Sequence, residues 1–109
     1  MALKTIPMSD LYDMIDKISP KAIVLDVRSP EEYAAGHIKG SRNIPHDQVG
    51  GRLDQLKGYE LIYIHCRSGA RATAAAQTLI NAGFNNIVCI TGSGMADWIA
   101  CGLPVERNT

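Results

Sequence analysis

Long apolar runs are missing from this sequence, and none approaches the ~20 residues that a membrane-spanning helix needs. An excess of one charge is missing too. Eleven lysine and arginine residues balance eleven aspartate and glutamate residues. That balance argues against a general nucleic-acid or membrane-surface binder, which needs a basic excess, although it leaves room for a local cationic pocket. The opening stretch from Met1 to Pro7 lacks a basic segment followed by an apolar core, so no secretory signal is expected. Cysteine is scarce, and three is an odd number, which argues against a disulfide framework. A reducing, cytoplasmic setting is expected. What is present is ordinary: 46% hydrophobic and 20% charged residues exclude a disordered chain, a collagen-like fibre and a coiled coil. A length of 109 residues leaves no room for a second core, so a single domain over residues 1–109 is expected.

No internal repeat or linker interrupts the chain, and short segments of two kinds alternate along it. Leu11, Met14, Ile15 and Ile18 form one apolar stripe of a first helix, with Ser9 as its expected N-cap and Pro20 beyond its end. Ala22 to Val27 is a nearly continuous apolar run, as in a strand covered on both faces. Ser29-Pro30-Glu31-Glu32 has the form of a capping box with proline at the first helical position, and Gly36 is the expected stop. A short extended piece, Ser41 to Ile44, ends at Pro45, and Val49, Leu53 and Leu56 predict a further short helix. Leu61 to His65 is a second buried strand, and Arg71 to Ala82 is a helix whose alanines let its backbone lie close to a sheet. Asn86 to Ile90 is another strand, and Met95 to Ala100 a last helix. Strands alternating with helices predict an α/β fold with a mainly parallel sheet.

Chemistry concentrates between a strand and a helix, in Cys66-Arg67-Ser68-Gly69-Ala70-Arg71. In open α/β sheets, ligands bind at the carboxyl ends of the strands. A cysteine there faces a helix N-terminus, whose N–H groups lack intrahelical partners and carry partial positive charge. With two arginines in the same loop, the setting favours thiolate over thiol. It is both a nucleophile cradle and an anion site. A buried filler cysteine has no need of such company. Cys89, inside the apolar Ile87–Ile90 run, is expected to be inert core, and Cys101 has no basic neighbour in sequence before Arg107. A resolving role for either thiol is a minor alternative. Cysteine phosphatases use a Cys-x5-Arg loop around a tetrahedral phosphate. Here the spacing from Cys66 to Arg71 is Cys-x4-Arg. A shorter ring of N–H groups suits a sulfur atom attached to the cysteine better than a phosphate.

Three motifs in order resemble those of the rhodanese-like sulfurtransferases, in particular the single-domain members. The first is Asp26-Val27-Arg28, then Glu32-Tyr33-Ala34-Ala35-Gly36-His37-Ile38-Lys39-Gly40-Ser41-Arg42-Asn43-Ile44-Pro45. The second is the loop from Cys66 to Arg71. The third is Gly94-Met95-Ala96-Asp97-Trp98, followed by Gly102-Leu103-Pro104-Val105. Two positions depart from the family pattern: Ser93 stands where paired glycines are usual, and Ala72 where a serine often follows the arginine.

The resemblance implies a three-layer α/β fold with about five strands and helices on both faces. It also implies sulfur transfer from an anionic donor such as thiosulfate to cyanide, a thiol or a protein cysteine, through a persulfide on Cys66. The persulfide would be cradled by N–H groups from Arg67, Ser68, Gly69, Ala70 and Arg71. Arg67 and Arg71 are assigned to the anionic donor, since guanidinium forks match oxyanions; a structural pair with a carboxylate is the alternative for Arg71. Asp26 and Arg28 are expected to support the loops, His37 to be a structural hydrogen-bonding residue, and Trp98 to pack in the core. Histidine and cysteine spacing fits no metal site, and no cofactor is implied. Two rivals are open: a cysteine phosphatase-like enzyme, and a non-catalytic module that binds a partner or senses redox state.

Overall fold

Each of three buried strands is apolar on both sides, and each side meets a different helical layer. The computed structural model describes residues 3–107. Its strands are β1 (Lys4–Ile6), β2 (Ala22–Asp26), β3 (Arg42–Asn43), β4 (Leu61–His65) and β5 (Ile87–Ile90), in the order β1-β5-β4-β2-β3. Every pairing is parallel. The helices are α1 (Met8–Met14), α2 (Pro30–Ala35), α3 (Ala70–Asn81) and α4 (Met95–Ala100). Successive side chains of a strand point to opposite faces, so alternate residues enter alternate cores. Ile23, Leu25, Ile62, Ile64, Ile87 and Cys89 pack with Ala72, Ala75, Ala76 and Leu79 of α3. Val24, Tyr63, Val88 and Ile90 pack with Met8 and Leu11 of α1 and with Met95 and Trp98 of α4. The result is a three-layer α/β sandwich. None of the helices is long and apolar enough to cross a membrane, among the described residues.

Local signals placed most of these elements, and where they failed the reason is visible. At α2 the expected capping box forms: Ser29 Oγ accepts from the Glu32 N–H at 3.2 Å, and Glu32 Oε1 accepts from the Ser29 N–H at 3.2 Å. Ser9 does not cap α1. The helix begins one residue earlier, after Pro7, and the Met8 N–H donates to Ser93 Oγ at 2.8 Å. A residue 85 positions away supplies the cap, so the departure from paired glycines at Ser93 has a structural use. The stretch expected to be helical around Val49 to Leu56 forms two 3-10 turns instead, Val49–Gly51 and Leu53–Gln55. Gly50 and Gly51 lie inside it, and glycine makes a continuous helix costly. β1 carried no periodic signal, because it has three residues and two of them are exposed. It exists through its pairing with β5, Thr5 opposite Cys89. The first two residues of the opening stretch read for a secretory signal lie outside the described residues.

Candidate active site

Cys66 follows the last residue of β4 and is almost completely buried, at 1% exposure. Its sulfur sits where a capping side chain would sit for α3. Gly69 is the N-cap residue and has no side chain to offer. The Cys66 Sγ accepts instead, from the Gly69 N–H at 3.1 Å and the Ala72 N–H at 3.3 Å. The expected ring of donors from Arg67 to Arg71 is thus narrowed to Gly69 and extended by one residue to Ala72. A side chain on residue 72 is not needed for this contact, and Ala72 is fully buried against the core. Gly69 holds φ at +120°, a conformation L side chains rarely adopt, and a Cβ there would lie 3.2 Å from the Gly92 nitrogen.

The loop carbonyls turn the other way. Cys66 O accepts from the Met95 N–H at 2.8 Å and Arg67 O from the Ala96 N–H at 3.2 Å, so the loop backbone closes the first turn of α4. This close approach fixes residue 94 as glycine. A Cβ at Gly94 would overlap Cys66 O and would lie 2.5 Å from Arg67 O, and backbone atoms cannot step aside. The loop is therefore polarised, with N–H groups toward the sulfur and carbonyls toward α4.

The three arginines of the region have different fates. Arg28 is buried and grips Asp26, with Nη2 to Oδ2 at 2.7 Å and Nε to Oδ1 at 3.0 Å. It also donates to Gly36 O at 2.7 Å. Asn43 Nδ2 donates to both Asp26 O and Arg28 O at 3.0 Å. Asp26 lies opposite His65 in register, and by strand alternation both face the α1–α4 layer, away from Cys66. Asp26 and Arg28 hold loops together, as expected of them. Arg71 makes a two-pronged pair with Glu32, Nη1 to Oε1 at 2.6 Å and Nη2 to Oε2 at 3.0 Å. The structural alternative for Arg71 is the one observed. Arg67 is exposed and makes no ion pair among the described residues.

Glu32 had no assigned role in the sequence beyond its capping box, because its partner is 39 positions away. The Arg71 guanidinium, with help from the Ser29 N–H and hydroxyl, lowers its pKa from 4.5 to about 2 against the opposing effect of burial. In the unfolded chain the carboxylate takes up its proton near 4.5, in the folded chain only near 2. The pair's contribution is therefore present above pH 4.5 and is lost as pH falls toward 2. Both side chains are about a third exposed, at 30% and 33%, so solvent screening holds the effect to about 1 kcal/mol. Urea denaturation of Glu32→Gln should show that deficit at pH 7 and a shrinking deficit on acidification; a deficit that ignores pH would contradict the pairing.

The remaining candidates are structural. His65 is fully buried, and burial pushes its pKa down, against the pull of Asp26, whose Oδ2 lies 3.9 Å from Nε2. His37 bonds through Nδ1 to Tyr33 O at 2.8 Å, stacks on Tyr33 at 3.9 Å, and forms a backbone bridge with Glu106. Trp98 is buried and donates to Pro104 O at 2.8 Å. Cys89 is buried in the core, and burial pushes its thiol pKa up against the Thr73 hydroxyl. Cys101 is exposed and caps the far end of α4 from the loop. The six residues between them rise ~9 Å, beyond the reach of a disulfide to Cys66.

Against the loop lies a cleft of about 420 Å³, lined by Arg67, Met95, Ala96 and Ile99 on one side and by Arg28, Glu32, Ala35 and Gly36 on the other. The same residues that build this site carry a family relationship. A model of the rhodanese-like domain matches residues 8–101. This chain belongs to the rhodanese-like domain family. A rhodanese-related protein from Thermoplasma volcanium has a solved structure with a TM-score of 0.79 and 35% identity, covering 94% of this chain and 97% of that one. The thiosulfate sulfurtransferase GlpE of Pseudoalteromonas translucida (strain TAC 125) is 29% identical over 98% of this chain and all of its own. A putative sulfur carrier protein, YrkF of Bacillus subtilis (strain 168), is 41% identical over 69% of this chain, which spans only 40% of that relative's length. The rhodanese-like fold thus accounts for the five-stranded parallel sheet and for the placing of the cysteine loop at its carboxyl edge.

Proposed function

We propose that the protein is a sulfurtransferase working through a persulfide on Cys66. The observation that carries this reading is the pair of N–H groups, from Gly69 and Ala72, donating to one sulfur in a loop too short for phosphate. The Cys66 thiolate attacks the outer sulfur of thiosulfate. A Cys66 S–S bond forms, the S–S bond of the donor breaks, and sulfite leaves with its electron pair. The persulfide anion then passes its outer sulfur to an acceptor. Cyanide becomes thiocyanate, or a thiolate becomes a persulfide, and the Cys66 thiolate is restored. Neither step draws on a metal or cofactor. This is covalent two-step catalysis, for which ping-pong kinetics are expected.

Charge placement supports sulfur over phosphate chemistry. A phosphatase loop needs its arginine free to clasp the transferred group, and here Glu32 occupies both prongs of Arg71. The free guanidinium at the cleft is that of Arg67, and we assign the anionic end of the donor to it. Three free cysteines and a thiolate mechanism fit a reducing, cytoplasmic setting. The test is intact mass after incubation with thiosulfate. The expected result is a gain of one sulfur atom that cyanide removes. No gain with thiosulfate or with a persulfide donor would overturn the enzyme reading and favour a binding or redox-sensing module. Arg67→Ala should raise the thiosulfate KM about tenfold with little change in kcat, the loss of one charge-assisted bond; an unchanged KM would remove Arg67 from donor binding.

A further inference from the structure

Resting on the sulfurtransferase reading, we infer that Ile99 selects the acceptor, and that the acceptor is a cysteine thiol on a peptide segment with an apolar side chain two residues away. Cys66 is 1% exposed, so a sulfur carried on it is met only by groups small enough to enter beside the loop. A small thiol or an extended segment fits this; a broad, flat protein surface does not. The cleft beside the loop is lined by Arg67 and by apolar groups, among them Ala35, Ala96 and Ile99.

Ile99 stands out within that lining. Its side chain is 53% exposed, whereas the other large aliphatic side chains of the sheet and helices are covered. A single exposed isoleucine is ordinary by itself. Its position beside the reacting sulfur is what matters. Met95, four residues earlier, holds Cys66 O through its N–H. Residues four apart lie on the same helix face, so Ile99 sits one turn along, a rise of ~6 Å from the point where α4 grips the loop. In an extended peptide, alternate side chains point the same way and are spaced ~6.8 Å. A peptide that presents its cysteine to the loop thus brings the residue at position i−2 or i+2 over Ile99. An apolar side chain there covers the exposed half of the isoleucine. The ionic groups of the cleft do not compete for this position, since Arg28 is held by Asp26 and Glu32 is held by Arg71.

The experiment uses two end-blocked tripeptide acceptors, Leu-Gly-Cys and Ser-Gly-Cys, whose thiols are chemically alike. The protein is loaded with thiosulfate, loading is checked by mass, and kcat/KM is measured for each acceptor. In a two-step mechanism that parameter reports the second step alone, so the ratio of the two acceptors cancels any change in donor handling. The leucine peptide should be favoured about tenfold in the wild type, the value of covering one such side chain. Ile99→Ser should bring the ratio to about one, and Ile99→Leu should keep it. Equal rates in the wild type, or a tenfold ratio surviving in Ile99→Ser, would overturn the assignment. Transfer to cyanide with neither peptide accepting would overturn it as well. Failure to load any sulfur would overturn the sulfurtransferase reading itself, which separates the two failures.

Discussion

Cys66→Ser is expected to gain no sulfur from thiosulfate and to lose at least about 10³-fold in sulfur transfer. A hydroxyl has no adjacent base in this loop to activate it, and it cannot form the S–S bond on which both steps depend. The substitution should leave the fold nearly intact. A serine oxygen can accept from the same Gly69 and Ala72 N–H groups, so the stability change should stay within ~1 kcal/mol. The comparison is decisive because two other thiols remain. Cys89 is sealed in the core, but Cys101 is exposed and able to react. A variant that still takes up one sulfur would move the chemistry to Cys101 and end the case for the loop.

Asp26→Ala is expected to cost about 3–5 kcal/mol of folding stability, read as a lower urea midpoint. The Arg28 guanidinium is buried, and Asp26 supplies three of its contacts. Removing the carboxylate leaves a buried charge with only Gly36 O to satisfy it. Against a typical total of 5–15 kcal/mol, that loss is large. Replacing both partners with apolar residues, Asp26→Leu with Arg28→Met, should cost less than the single change, because no charge is left stranded. A single-variant loss under about 1 kcal/mol would show that this pair is not what ties β2 to the loop after α2. Since Asp26 faces the layer opposite Cys66, molecules of Asp26→Ala that remain folded should still form the persulfide, and this separates support from catalysis.

The charge arrangement around the loop has a consequence for function. Of the three arginines near the loop, two have their charge spent inside the protein, on Asp26 and on Glu32. One guanidinium is left for a ligand. A single fork beside an apolar wall suits a donor with one anionic end and an acceptor whose neighbours are uncharged. This differs from a phosphate cradle, where several cationic groups converge on one tetrahedral ion.

The sequence by itself determined the elements whose signal is local. β2, β4 and β5 show as apolar runs, and α3 as an alanine-rich face, because each buries its side chains over enough residues for the period to appear. The nucleophile was legible too, because its neighbours at Gly69 and Arg71 are close in the chain and the strand-to-helix turn places them together. Only the tertiary structure decided the rest, and each case is a contact between residues far apart in sequence. β1 is a strand because β5 lies beside it. Ser93 caps α1 across 85 positions where Ser9 was expected to do so from within. Arg71 is taken by Glu32 and not left for the donor, and Gly94 must lack a side chain because two loop carbonyls lie against it. Ile99 reads in the sequence as one more apolar residue of a short helix. Its exposure beside the loop follows from how α4 docks, with Met95 and Ala96 gripping the backbone of Cys66 and Arg67. Periodicity and capping are written within a few residues of one another, whereas ion pairs, close approaches and clefts depend on which distant segments the packing brings together.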